Sequence, residues 1–84
     1  MKLQNFGSNQ NIVEISDDLT VFFSYNTPVA CFKRSETTGK FEVFRTAQFW
    51  SRTTSKHINN WLSSLNFSSR ATEKPQEFFN NLIK

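Results

Sequence analysis

The sequence predicts an α+β fold: a small antiparallel β-meander of three to five strands, covered on one face by one or two C-terminal helices, with residues 1–84 forming one domain. Three observations carry this. Side chains alternate with period two from Leu19 to Tyr25. The period then changes to that of a helix at Ile58, Trp61, Leu62 and Leu65. Strands precede helices throughout, an order that excludes parallel βαβ units.

In chain order, the first ten residues read as an entry segment anchored by Leu3 and Phe6. Ile12 to Ile15 is a short, mostly β-branched run and predicts a strand. Asp17-Asp18 signals a turn. From Leu19 to Tyr25, Leu19, Val21, Phe23 and Tyr25 share one face, and Thr20, Phe22 and Ser24 the other. Asn26-Thr27-Pro28 bends or interrupts the chain, because Pro28 has no N–H to give a ladder. Val29 to Lys33 resumes as a strand, and the polar stretch 35–40, with Gly39 free to take positive φ, predicts a hairpin loop. Phe41 to Arg45 is the returning strand.

The helical stripe follows, with Thr53, Thr54 and Ser55 as N-cap candidates and Lys56, Asn59, Asn60 and Ser63 as its outer face. Residues 66–70 form a polar break. Thr72 is the N-cap candidate of a second helix, whose first turn can hold Pro75 and whose apolar stripe is Phe78, Phe79, Leu82 and Ile83.

Composition narrows the function classes. Thirteen rings among 84 residues, ten of them Phe, supply enough large apolar side chains to argue against disorder. The net charge of +3 is modest, but six cations against two acids fall within residues 31–58, whereas residues 1–30 are net negative. One cysteine forms no internal bridge, no apolar run reaches a membrane span, and the first residues lack the apolar core of a signal peptide. A cytoplasmic protein without membrane attachment is therefore expected.

No residue set reads as a catalytic or metal centre, and no cofactor is expected. His57, the only histidine, stands one turn before Trp61 and reads as an orienting residue rather than a base or ligand. Cys31, between Ala30 and Phe32, reads as a small buried hydrophobe. The interleaving of cations and rings between Lys33 and His57 is the functional suggestion. Its candidate contact residues are Lys33, Arg34, Lys40, Arg45, Phe49, Trp50, Arg52 and Lys56, with the hairpin expected to bring Lys33 and Arg34 near Arg45. The structural alternative is that the rings fill the core and the charges are solvated.

Two stretches, Ser24-Tyr25-Asn26-Thr27-Pro28-Val29-Ala30 and the run from Ser51 to Leu62, together resemble a family of small uncharacterised proteins of bacteriophages, plasmids and some archaea. Its members carry an SY-x-T-x-VA strand followed by a TT-x-x-HIN-x-(W/F)-L helix start. The resemblance implies a viral or mobile-element origin and carries no catalytic residue. The leading expectation is a non-enzymatic accessory protein that binds a host or viral protein, of acidic surface, through the basic middle. The alternative is nucleic-acid binding through residues 33–57, and the third reading is a small enzyme using His57 and Cys31. Burial would decide between the first two: Phe49 or Trp50 standing exposed among cations favours stacking on bases, and buried rings favour a protein partner. Self-association stays open.

Overall fold

A computed structural model describes residues 2–65 and 71–83 of the chain. Five strands run as an antiparallel meander: β1 (Lys2–Gly7), β2 (Gln10–Ser16), β3 (Leu19–Ser24), β4 (Thr27–Arg34) and β5 (Phe41–Thr46). Helix α1 (Arg52–Ser64) follows, then a three-residue strand β6 (Thr72–Lys74) and helix α2 (Gln76–Leu82). The sheet has six strands in sequence order rather than three to five, and β6 joins parallel to β5 at the edge, so β5–α1–β6 is a parallel βαβ unit of the kind the expected strand-then-helix order excluded.

Two of the six strands, β1 and β6, lie where the sequence predicts none. The entry segment is β1, paired from Lys2↔Glu14 to Gly7↔Gln10. Leu3 does not anchor it, being 69% exposed, while Phe6 meets Phe22 edge-on at 6.0 Å. Thr72 is not a helix cap but the first residue of β6, and Pro75 is the N-cap of α2. Backbone pairing with the free edge of β5 overrides the weak β-propensity of Thr72-Glu73-Lys74.

The helices do not share a face. Neighbouring strand residues point to opposite sides of a sheet, and here both sides are apolar. Phe22, Ala30 and Val43 form one core cluster with Ile58, Trp61 and Leu62 of α1. Val21, Cys31 and Phe44 form a second with Phe79 of α2. Each face of β3–β5 therefore has its own cover. The chain reaches the second face after lining the sheet edge as β6.

The α1 stripe packs as its spacing predicts: Ile58, Trp61 and Leu62 are buried and Leu65 is half-buried. The Trp61 ring stacks on Phe22 at 4.9 Å and lies near-parallel to Phe32 at 6.0 Å. In α2, Phe79 is buried, Phe78 and Leu82 are half-buried, and Ile83 is exposed. The polar break at 66–70 lies outside the described residues. Among the described residues no helix is long and apolar enough to cross a membrane.

Two turns depart from simple alternation. Ser24 pairs with Thr27, so Tyr25-Asn26 is a tight turn, and β4 already includes Pro28, at a register shift between Phe22 and Phe23. Tyr25 takes φ +57°, a region that bulky residues rarely occupy, and its N–H donates to the Asn9 carbonyl at 2.7 Å. The 35–40 hairpin is closed by Ser35 N–H to the Lys40 carbonyl at 2.8 Å, with Gly39 at φ +72°.

Candidate functional site

The meander places the Gly7–Gln10 turn, the Tyr25-Asn26 turn, residues 47–51 and the start of α1 at one end of the sheet. There, Ser51 caps α1: its hydroxyl oxygen accepts from Thr54 N–H at 3.1 Å. The cap is thus not Thr53, Thr54 or Ser55. Being inside the helix, Thr54 is free to turn its side chain inward, where it is buried.

Thr54 meets the end of β3. The Ser24 hydroxyl, itself buried, donates to Thr54 Oγ1 at 3.1 Å and lies 2.9 Å from His57 Nδ1. The His57 ring stands 5.9 Å from that of Tyr25. Thr54 and His57 are three residues apart on one helix face, so both reach the same serine. This ties α1 to the sheet and backs the Tyr25 ring with an oriented imidazole. The two stretches quoted for the family resemblance meet here.

A cavity of about 200 Å³ opens beside this cluster, lined by Tyr25, Thr27, Val29, Trp50, Ser51 and Thr54. Tyr25 is 47% exposed, Trp50 44% and Phe49 71%. Trp50 is nevertheless fixed: its Nε1–H donates to Gln76 Oε1 at 3.1 Å. Gln76 is held in turn, accepting from the Thr46 hydroxyl at 2.9 Å and donating Nε2–H to the Pro28 carbonyl at 2.7 Å. A larger groove, of about 510 Å³, lies beside the 35–40 hairpin, where Phe41 is the only ring among the described lining residues.

The six candidate cations do not form one patch. Arg34 pairs in register with Phe41, and Arg45 with Ala30, so Arg34 and Arg45 stand four ladder positions, about 13 Å, apart. Lys33, Arg34 and Lys40 lie at the hairpin end, among Asp17, Asp18, Glu36 and Glu42. Arg34 Nε is 3.5 Å from Asp18, and its guanidinium lies over Phe41 at 5.1 Å; Lys33 lies over Phe78 on the α2 face at 5.9 Å. Arg45, Arg52 and Lys56 belong to the other end. Arg52, Lys56 and Asn59 follow one helical stripe, and Arg45 Nη1 donates to Asn59 Oδ1 at 3.0 Å. The Arg45 Nε is buried, with no hydrogen-bond partner among the described residues. Charge thus separates along the sheet: near-balanced and slightly acidic at the hairpin end, basic beside the exposed rings.

Cys31 and His57 are on opposite faces, one with Phe79 and the other on α1. They cannot act as a thiol and its base. Burial pushes the Cys31 thiol up to about 12, against a smaller lowering effect of Lys33. Among the described residues, no three of His, Cys, Asp and Glu gather as a metal-ligand set. The site offers hydroxyls, an amide, rings and cations. Sequence reasoning missed Ser24, Tyr25, Ser51 and Gln76. Ser24, Tyr25 and Ser51 lie in the two family-like stretches, but Gln76 has no local signal.

A model of a family of unknown function, DUF8033, matches residues 1–81. The chain belongs to the DUF8033 family. No curated protein and no solved structure matches it. The DUF8033 match spans the sheet, both helices' cores and every residue of the cavity.

Proposed function

We propose that this DUF8033 chain binds single-stranded nucleic acid at the end of the sheet that carries Tyr25, Phe49 and Trp50. The observation behind this reading is the exposure of Phe49 and Trp50 two or three residues from Arg52, with Lys56 one turn further on. Exposed rings stack on bases irrespective of sequence, while cations track the backbone. No acidic residue sits in the first turn of α1 to oppose them. The role fits an accessory protein of a bacteriophage or other mobile element in its host's cytoplasm, and it needs no catalytic step.

The test is fluorescence anisotropy of a labelled deoxythymidine decamer at several salt concentrations. Phe49→Ala should weaken binding about tenfold, one base's stacking, without loss of stability. Arg52→Glu with Lys56→Glu should flatten the salt dependence by one to two units of slope. A decamer that does not bind wild type, or binds it and both variants alike, rejects the proposal.

A second reading, a protein partner, is supported by a neighbouring groove that shares Tyr25 with this site. Leu3, Val13 and Phe23 line an open groove beside the free edge of β1, beyond the reach of the seven-residue α2. Binding of a partner there would survive both sets of changes.

A further inference from the structure

We infer that the cavity between Tyr25 and Trp50 is a seat for one unpaired nucleobase, so that the site takes a base in as well as stacking bases on its surface. This rests on the nucleic-acid reading above and specifies where that ligand is gripped.

Three independent features lead here. The first is shape and chemistry. Two aromatic rings line a small cavity together with the hydroxyl-bearing Thr27 and Ser51, with buried Ser24, Val29 and Thr54 behind them. A flat heterocycle with donors and acceptors on its edge matches rings for its faces and hydroxyls for its edge, since a hydroxyl both donates and accepts. Among the described residues, Thr27 Oγ1 makes no hydrogen bond, and the Ser51 hydroxyl uses only its acceptor side.

The second is preorganisation. Half-exposed rings ordinarily lose rotamer freedom when they bind, which lowers affinity. Here the Trp50 ring is held by a hydrogen bond and the Tyr25 ring is flanked by a positioned imidazole. Trp50 is tied through Gln76 to Thr46 and Pro28. Tyr25 is placed by its N–H bond to Asn9 and backed by His57, which Ser24 positions from below.

The third is backbone conformation. Tyr25 sits at φ +57°, where Asn or Gly would be at ease. A large ring kept at a position that disfavours it points to a use for the ring, because strained backbone concentrates at ligand sites. Arg52 at the start of α1 is then placed for the phosphate of the seated nucleotide.

The experiment uses the full chain and two decamers, deoxythymidine and an all-abasic strand of equal charge. Trp50 emission is the reporter, since Trp61 is 1% exposed and shielded. Wild type should show quenching with the thymidine decamer and not with the abasic one. Tyr25→Asn keeps the positive φ and so the fold. It should abolish the quenching and weaken binding about tenfold, while Phe49 and the cations still retain the strand. Thr27→Val, nearly isosteric, should weaken thymidine binding and leave abasic binding unchanged. If the thymidine decamer binds but neither variant changes affinity or quenching, the base seat is wrong and the surface-binding reading stands. If neither decamer binds wild type, both are wrong.

Discussion

Truncating Trp61 tests the fold where it supports the site. The ring is 1% exposed, stacked at 4.9 Å and 10° on Phe22, with Phe32 near-parallel at 6.0 Å and 18°. Trp→Ala in a core costs about 3–5 kcal/mol, the value depending on how far the site can collapse. Collapse is poor here. Phe22 and Phe32 belong to neighbouring paired strands and cannot follow the missing ring. The loss should thus fall near the upper end, about 4–5 kcal/mol, which includes two ring contacts of roughly 0.5–1.5 kcal/mol each. An 84-residue chain has a total stability of roughly 4–13 kcal/mol. Trp61→Ala therefore leaves a marginal protein or none, and Trp61→Phe, which keeps a ring against Phe22, should lose about half as much. Urea unfolding followed by far-ultraviolet circular dichroism is the assay, because the substitution removes a fluorophore. With a slope near 1–1.5 kcal/mol/M for so small a chain, the midpoint of Trp61→Ala should drop by about 3–5 M. A drop under about 0.3 M would show that the ring does not hold α1 to the sheet. Equal losses for Ala and Phe would show that stacking is not the relevant interaction.

Two further outcomes follow from named contacts. Ser51→Ala should lower stability by about 1 kcal/mol through loss of the bond from Thr54 N–H, while Thr53→Ala, exposed and without a capping bond, should change it by less than about 0.5 kcal/mol; paired thermal melts distinguish them, and the reverse order would move the cap. Cys31 keeps its proton to about 12 in the folded chain, against an ordinary 9.0. Between those values the unfolded chain binds fewer protons, so this contribution is intact below about pH 9 and is lost as pH rises toward 12. Urea midpoints of wild type should therefore fall more steeply than those of Cys31→Val over pH 9–11, and parallel curves would show that the thiol is not desolvated.

The sequence by itself determined the elements whose signal is local. Alternation from Leu19 to Tyr25 marked β3, which ends one residue sooner at Ser24, the polar stretch with Gly39 made the hairpin, and the spacing of Ile58, Trp61, Leu62 and Leu65 made α1 with the correct inward face. Each follows from the period of side chains along one segment. The tertiary structure decided what depends on distant partners. Thr72-Glu73-Lys74 is a strand only because β5 offers an unpaired edge, and a three-residue polar segment carries no periodicity to reveal it. The placement of α1 and α2 on opposite faces depended on Val21/Phe22, Ala30/Cys31 and Val43/Phe44 being apolar on both sides, a pattern legible only once those strands are seen side by side. The site divides in the same way. Phe49, Trp50, Arg52 and Lys56 were legible as rings near cations, because they are neighbours in sequence. Separating Arg34 from Arg45 required the strand register. Joining Ser24 to His57, or Trp50 to Gln76, required contacts between residues 33 and 26 positions apart, and hydrogen bonds across such distances leave no trace in the order of residues.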